Sequence, residues 1–134
     1  MTTVYRIGYC DTPAPTLNVL LMSLGYGSTQ GNGRWHTKGP NQVVYCGSSR
    51  ALCQLEKRVH TPMRPPRDLV AVEAIVPAAA VASAEGVVLP DDWDADNVDW
   101  SVGSAASQCI GDDWLARGTS LLLRVPSVVV PVGW

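Results

Sequence analysis

The sequence has little charge of either sign, which restricts the partners that it can bind. Charged residues make up 16 % of its 134 residues, and the formal net charge is −2. A chain of this kind has no basic field that would attract a phosphate backbone. We therefore expect no direct nucleic-acid binding and favour a small ligand or a protein partner.

Long hydrophobic runs and secretion signals are also missing from the sequence. The longest nearly apolar stretch, residues 74–84, is too short for a membrane span and contains Pro77. The first residues lack the charged and apolar regions of a signal peptide. The four cysteines contain no CxxC pair, so reduced thiols are the default in a chain without such a signal. These absences predict a cytoplasmic protein with no membrane partner.

Two common kinds of chemical site have little support. The sequence has two histidines and no Gly-x-Ser-x-Gly motif, which argues against a hydrolase triad. Residues 91–100 begin like an EF-hand loop but lack its glycine and its bidentate glutamate. Cys53, Glu56 and His60 share a helix face, but they span a long distance for one ion and no second ligand cluster accompanies them. We expect no metal.

The pattern of apolar residues predicts interspersed strands and helices. The predicted strands are residues 2–9, 42–46, 68–76, 87–89, 120–125 and 127–132, and the predicted helices are residues 13–24, 49–60 and 104–117. Residues 78–84 are predicted to form a loop or one weak turn. Because strands and helices do not alternate regularly, the sequence favours an α+β fold with mixed or antiparallel sheets and flanking helices. The length predicts a single compact domain over residues 1–134.

Residues 25–35 are dense in glycine and predict a loop rather than a dinucleotide-binding turn. The dinucleotide-binding fingerprint requires a strand before the glycines and a helix that opens on them. Here a predicted helix precedes the glycines, and Trp35 to Pro40 follow them. We therefore interpret this segment as a loop that lines a cleft.

Glu56 stands where the helix 49–60 should be apolar. Leu52, Leu55 and Val59 form a stripe at helical spacing, and Glu56 completes it four residues after Leu52. Burial of a carboxylate is costly unless the group is paired, hydrogen-bonded or faces a wet cleft. Glu56 therefore either has a buried partner or lines a site where its charge acts on a ligand.

Arg34 and Tyr45 complete a possible constellation with Glu56. Arginine offers a permanently charged bidentate fork for phosphate, tyrosine a flat face for stacking, and an inward glutamate a fixed negative charge. Each residue also has a purely structural interpretation. Arg34 is then a surface cation, Tyr45 a core residue and Glu56 the ion-pair partner of Arg34.

The order of several short motifs resembles the RES domain, named for Arg, Glu and Ser. Individually these motifs are weak, but their order and spacing run over nearly the whole chain. They are Tyr5-Arg6, Gly33-Arg34-Trp35, Gly39, Val44-Tyr45-Cys46-Gly47-Ser48-Ser49, Ala51-Leu52, Leu55-Glu56, Leu89-Pro90, Trp93, Ile110-Gly111-Asp112, Trp114-Leu115 and Val125-Pro126-Ser127-Val128-Val129-Val130-Pro131.

The resemblance implies an ADP-ribosyltransferase-like fold and activity on NAD+ as substrate, without a metal. The three name residues would correspond to Arg34, Glu56 and Ser127. Tyr45 would correspond to the family's active-site tyrosine, and Arg6 would line the same cleft. The expected catalytic residues are therefore Glu56, Arg34, Tyr45 and Ser127, and the expected NAD+-binding residues are Arg6, Arg34, Tyr45 and Glu56.

The resemblance also implies the toxin of a type II toxin-antitoxin pair that arrests growth. Its expected reaction is cleavage of the nicotinamide-ribose bond by hydrolysis or phosphorolysis. ADP-ribosyl transfer to a cellular protein is one alternative, and a catalytically inactive antitoxin-binding module is another. The expected partner is an Xre-like helix-turn-helix antitoxin, and a homodimer is possible. The sequence alone does not choose the acceptor among water, phosphate and protein.

Overall fold

In the part of the chain that the structure describes, the fold consists of two small two-stranded sheets, with α-helices and 3-10 helices between the strands along the chain. The computed structural model describes residues 1–9, 16–18, 24–60, 63, 69–84, 89–95 and 98–129. The strands are β1 (Thr2–Tyr9), β2 (Leu69–Val76), β3 (Val81–Ser83) and β4 (Leu122–Arg124), and the α-helices are α1 (Arg50–His60) and α2 (Ala106–Arg117). Short 3-10 helices lie at Tyr26–Thr29, Ala78–Ala80 and Trp100–Val102.

The two sheets confirm the predicted α+β class. β1 pairs with β2 in antiparallel register, from Thr2 opposite Val76 to Tyr9 opposite Leu69. β3 pairs in parallel with β4, which lies about forty residues later in the chain. The predicted strand at residues 2–9 is confirmed, and Ile7 is buried within it at 5 % exposed.

Helix α1 begins with a side-chain cap and lies against β1. Ser49 Oγ accepts a hydrogen bond at 3.1 Å from the backbone N–H of Leu52, as expected of an N-cap serine. The Cys53 thiol donates to the carbonyl oxygen of Tyr5 at 3.1 Å. Gly47, just before the helix, exchanges two backbone hydrogen bonds with Tyr5, at 2.8 and 2.9 Å. The start of α1 is therefore attached to the middle of β1.

The predicted apolar stripe of α1 is wrong, although Glu56 is half-buried as expected. Leu55 is 49 % exposed and Val59 is 57 % exposed, whereas Cys53 is buried at 9 %. The inward face is formed by Leu52, Cys53 and Glu56, which lie within one helical turn. The helix is turned so that the Cys53 thiol, rather than Leu55 or Val59, meets β1.

Helix α2 packs through a polar and small-residue face instead of the predicted Ile110 and Trp114, which are only half-buried. Ser107, Gln108 and Gly111 are its buried residues. A Cβ on Gly111 would overlap the carbonyl oxygen of Trp35, so α2 approaches that backbone more closely than any larger residue allows. The helix ends as predicted.

Three β predictions are wrong within the described residues. Residues 42–46 form no strand, because the segment pairs with β1 only through the single bridge between Gly47 and Tyr5. Residues 81–83, predicted as loop or turn, form β3 because β4 offers them a parallel partner. The final β run is shorter than expected, since residues 125–129 form no strand after β4.

Other predictions fall wholly or partly outside the described residues. For the helix 13–24, Leu17 and Asn18 are helical and most of the remaining positions lie outside the described part. Gly25 follows this segment with φ of 75°, the left-handed conformation expected of a C-terminal cap. Most of the predicted strand 87–89 and the end of the run 127–132 are likewise outside. Among described residues, no helix has the length and apolar character needed to cross a membrane.

Candidate active site

Tyr45 is held through its hydroxyl group. The backbone N–H of Trp35 donates to this hydroxyl at 3.1 Å, and His36 Nδ1 lies 2.7 Å from it. The Tyr45 side chain is 36 % exposed, so part of the ring reaches the surface while the hydroxyl is bound. The ring is therefore fixed at its inner end and presents its remaining surface outward.

The partners of His36 define which of its ring nitrogens carries the proton. Its Nε2 atom lies 3.1 Å from the carbonyl oxygens of both Ser28 and Gly31, which can only accept hydrogen bonds. Nε2 therefore carries a proton, and in the neutral ring Nδ1 accepts a hydrogen bond from the Tyr45 hydroxyl. His36 is only 4 % exposed and links the glycine-rich loop to Tyr45.

Gly33 makes this contact possible. A Cβ at this position would lie 2.6 Å from the Tyr45 hydroxyl oxygen and 2.7 Å from the His36 ring. Both distances are shorter than the contacts that Cβ atoms make in proteins. Only glycine therefore allows the backbone to pass beneath the two rings.

Burial of Tyr45 raises the pKa of its hydroxyl from 10.0 to about 12. The N–H of Trp35 lowers this pKa, the charge of Asp112 raises it, and the charge of Arg34 lowers it. The hydroxyl stays protonated at neutral pH and is engaged in two structural hydrogen bonds. Tyr45 can therefore offer a ring face to a ligand but is a poor acid-base catalyst.

A pocket of about 260 Å³ opens beside this network. It is lined by Arg6, Gly25, Gly27, Ser28, Gly31, Asn32, His36, Val43, Val44 and Tyr45. The prediction that the glycine-rich loop lines a cleft is confirmed. A Cβ at Gly27 or Gly31 would meet no atom within 4 Å, so a ligand can approach the loop backbone there.

Arg6 supplies a cation at the wall of this pocket. Its Nη1 atom donates to the backbone carbonyl of Tyr45 at 3.2 Å, which fixes the guanidinium beside the tyrosine. Because Arg6 is always charged, the pocket has a permanent positive group suited to an anionic ligand. The predicted positions of Arg6 and Tyr45 in one cleft agree with this geometry.

The Cys53 thiol feels the charges of both Arg6 and Glu56. Burial is the largest effect that raises the pKa of the Cys53 thiol, while the charge of Arg6 lowers it and the charge of Glu56 raises it. Both charges therefore lie close enough to act on the same sulfur. The cation and the carboxylate thus have opposite effects on the pKa of the Cys53 thiol.

Glu56 and Ser127 are brought together from distant parts of the chain. Ser127 Oγ donates to Glu56 Oε1 at 2.8 Å, and Ser127 Oγ itself accepts the backbone N–H of Val129 at 3.1 Å. The serine thereby orients one carboxylate oxygen and is itself fixed by its own turn. Neither residue is among those lining the 260 Å³ pocket, whose described wall includes Arg6 and Tyr45.

Arg34 is surrounded by the tryptophans of the acidic loop, residues 91–100. Its guanidinium carbon lies 4.4 Å from the ring centre of Trp100 and 5.9 Å from that of Trp93. Its Nη1 atom donates to the Trp93 carbonyl at 3.4 Å. The charge of Arg34 lowers the pKa of Tyr45, so the two side chains interact electrostatically. Arg34 is nevertheless not among the residues that line the pocket.

Helix α2 fixes the backbone that carries these residues. Ser107 Oγ donates to the carbonyl of Arg34 at 2.6 Å, and Gln108 Nε2 donates to that of Gly33 at 2.9 Å. Asp112 accepts both the N–H and the hydroxyl of Thr37, at 2.8 and 2.6 Å. The segment from Gly33 to Thr37 is therefore held along its length.

Sequence reasoning overlooked His36, Cys53 as a linking residue, and the tryptophans around Arg34. His36 gave one usable signal, since it is one of two histidines and stands two positions after Arg34. Nothing in the local pattern signalled the role of Trp100, which depends on contact between distant segments. Within the described residues, no group of three or more His, Cys, Asp and Glu side chains is placed to hold a metal ion.

Comparison with known proteins adds to this geometry. A family model of the RES domain matches residues 3–134. The chain is similar to the "Prs ADP-ribosylating toxin" of Sphingobium sp. (strain YBL2), with 38 % identity over 111 residues, covering 80 % of this chain and 65 % of the relative. It is also similar to "Toxin Res" of Yersinia enterocolitica serotype O:8 / biotype 1B, with 32 % identity over 109 residues, covering 80 % and 67 %. The chain spans about two thirds of the length of these curated relatives.

Proposed function

Because the chain belongs to the RES domain family, we propose that it is a toxin enzyme that cleaves the nicotinamide-ribose bond of NAD+. The proposal takes residues 1–134 as one domain with an ADP-ribosyltransferase-like fold. The observation that carries it is a glycine-lined pocket with Arg6 and the partly exposed Tyr45 ring in its wall, together with a Glu56 carboxylate that accepts a hydrogen bond from Ser127. This arrangement offers a cation, an aromatic face and a carboxylate to one extended ligand.

The chemistry of the reaction needs few protein groups. Cleavage builds positive charge on the ribose, as in glycoside hydrolysis, and nicotinamide leaves as a neutral molecule from a pyridinium. No general acid is required for this departure. With water as acceptor, NAD+ and water give ADP-ribose, nicotinamide and one proton.

Glu56 is the proposed electrostatic catalyst. Its carboxylate would stabilise the oxocarbenium-like transition state and hold a ribose hydroxyl. Ser127, which donates to Glu56 Oε1, would keep the carboxylate oriented while the reaction proceeds. The proposed role of Ser127 is therefore to supply a short hydrogen bond to the catalytic carboxylate.

The remaining site residues are proposed to bind the substrate. Arg34 and Arg6 would hold the diphosphate through charge-assisted hydrogen bonds. Tyr45 would pack its ring against nicotinamide or the attached ribose, which its fixed hydroxyl permits. The open backbone at Gly27 and Gly31 would allow the ligand to lie close to the loop.

Transfer of ADP-ribose to a protein is a second candidate, favoured by the name of the 38 % identical relative, an ADP-ribosylating toxin. Hydrolysis, phosphorolysis and protein transfer share the same bond cleavage and differ in the acceptor. The test incubates the purified protein with NAD+ labelled in its adenylate, with and without phosphate and with and without cell extract. Label in ADP-ribose or its phosphate identifies the small acceptors, and label on one protein identifies transfer. Absence of nicotinamide release under all conditions refutes the proposed function.

The proposed partner is an Xre-like helix-turn-helix antitoxin, with which the enzyme would act in the cytoplasm. Its tail would cover the active site, and a homodimer of the toxin is compatible with this arrangement. Expression of the chain alone should arrest bacterial growth, and co-expression of the antitoxin should restore it. Arrest that also persists for a variant without NAD+ cleavage would contradict this proposal.

A further inference from the structure

The acidic loop contributes two aromatic rings to Arg34. The guanidinium carbon lies 4.4 Å from the Trp100 ring centre, within the range of a cation–π contact, and 5.9 Å from that of Trp93. The Trp93 ring also lies 5.5 Å from the ring of Trp35, the residue after Arg34. The arginine side chain is therefore enclosed by aromatic surface from a segment about sixty residues later in the chain.

Trp100 is itself held in place by two side chains. Its carbonyl oxygen accepts from Asn32 Nδ2 at 3.0 Å and from Gln108 Nε2 at 2.9 Å. Asn32 belongs to the pocket wall, and Gln108 is fully buried. The loop position that carries the ring is thus attached both to the pocket and to helix α2.

The same helix fixes the other side of the contact. Ser107 donates to the carbonyl of Arg34 at 2.6 Å, and its neighbour Gln108 donates to Trp100. Consecutive residues of α2 therefore set the separation between the Arg34 backbone and the Trp100 backbone. The contact between ring and guanidinium follows from this shared support rather than from a chance meeting of surface side chains.

We propose that Trp100 is a positioning residue that orients the Arg34 guanidinium for the diphosphate of the substrate. A ring that covers one flat face of a guanidinium fixes the plane in which its N–H groups lie, and these N–H groups are the ones that bind phosphate oxygens. Trp93 supports the same orientation through its carbonyl group and its ring. This inference rests on the proposed function, and it gives the acidic loop a role that the sequence pattern did not reveal.

Steady-state kinetics of nicotinamide release test this inference with three substitutions. In Trp100→Leu, KM for NAD+ should rise by about fivefold to tenfold while kcat changes by less than about twofold, because a cation–π contact acts on binding. Trp100→Phe retains a π face and should lie between the wild type and Trp100→Leu. Val102→Ala, an exposed residue of the same 3-10 helix, is the control and should match the wild type. Thermal unfolding identifies any variant that fails to fold, and Trp100→Met then replaces Trp100→Leu.

A double-mutant cycle with Arg34→Ala separates positioning from general structural support. If Trp100 acts through Arg34, Trp100→Leu should change KM little when Arg34 is already alanine. An equal rise of KM in both backgrounds overturns the inference, and so does an unchanged KM in Trp100→Leu alone. If the wild type releases no nicotinamide, the proposed function has failed and this inference falls with it. If the wild type turns over normally and Trp100→Leu has an unchanged KM, the inference about Trp100 fails and the proposed function stands.

Discussion

The Tyr45 hydroxyl shows how a single polar atom joins separate parts of the site. It accepts the N–H of Trp35 and donates to His36, whose other nitrogen donates to two loop carbonyls. Tyr45 and His36 thereby fix the position of the glycine-rich loop relative to Tyr45 in the pocket wall. Sequence reasoning selected Tyr45 for its ring and not for its hydroxyl, because a hydrogen-bond partner from another segment leaves no local pattern.

The raised pKa of Tyr45 predicts a loss of stability at high pH. Between pH 10 and about 12 the folded protein keeps a proton on this hydroxyl that the unfolded chain has released. The contribution of Tyr45 is therefore fully present below pH 10 and is lost as the pH rises through about 12. Tyr45→Phe should be less stable than the wild type by about 1 to 2 kcal/mol near neutral pH.

Urea unfolding of both proteins at several pH values checks this prediction. The difference in unfolding free energy between wild type and Tyr45→Phe should shrink between pH 10 and about 12. Tyr26→Phe serves as control, since the Tyr26 side chain is 59 % exposed. The difference in unfolding free energy between the wild type and Tyr26→Phe should change little over this pH range. A constant difference for Tyr45→Phe across this range would contradict the buried, hydrogen-bonded hydroxyl.

Glu56 shows a correct position predicted from a partly wrong pattern. Its half-buried state follows from its neighbours Leu52 and Cys53 on the helix, whereas Leu55 and Val59 face outward. Helical spacing defines which residues share a face but not which face meets the protein. That choice is made by β1, whose Tyr5 carbonyl accepts the Cys53 thiol.

At the scale of elements, the helices and longer strands follow local signals, and the short strands do not. Helix α1 has its serine cap, α2 has Gly118 at its end with φ of 60°, and β1 has its alternation. β3 forms only because β4 lies parallel to it, and residues 42–46 remain irregular because they gain a single bridge. A short strand depends on its partner, which is chosen by the tertiary fold.

Helix α2 organises the site through a face that contains no large apolar side chain. Gln108 has no exposed surface, and it binds the carbonyls of Gly33 and Trp100. Gly111 allows the helix to reach the Trp35 backbone. Hydrophobic periodicity could predict the helix, but it could not predict that polar and small residues form its contact face.

Gly111→Ala should therefore destabilise the protein strongly, although alanine favours helix. The new Cβ would overlap a backbone oxygen of Trp35, which cannot move without displacing the Arg34 segment. We expect a loss of about 3 kcal/mol or more in unfolding free energy, measured by urea or thermal unfolding. Gly8→Ala is the matched control, because its Cβ would meet no atom within 4 Å. Equal stability of the two variants would contradict the close packing of α2.

At the scale of the whole molecule, the candidate site collects residues from nearly the full length of the chain. Arg6 comes from β1, Arg34 and Tyr45 from the segment held by α2, Glu56 from α1, and Ser127 from the turn after β4. The contact between Glu56 and Ser127 joins positions 71 residues apart. The family resemblance predicted all of these residues as site residues, whereas residue chemistry alone favoured Arg34, Tyr45 and Glu56.

The sequence could not predict how the site residues divide into neighbouring groups. Arg6 and Tyr45 line the described pocket, Glu56 meets Ser127 beside it, and Arg34 lies against Trp93 and Trp100. This division depends on contacts between segments that are distant in sequence.

The most direct test of the central claim is nicotinamide release from NAD+ by wild type and Glu56→Gln. The glutamine keeps an oxygen that can accept from Ser127 but removes the negative charge that would stabilise the oxocarbenium-like ribose. Glu73→Gln, which removes a carboxylate from an exposed ion pair with Arg50, is the control. We expect Glu56→Gln to unfold at nearly the wild-type temperature and to release nicotinamide at least about 100-fold more slowly than the wild type. Glu73→Gln should release nicotinamide at nearly the wild-type rate. Equal rates of release by Glu56→Gln and the wild type would contradict the account.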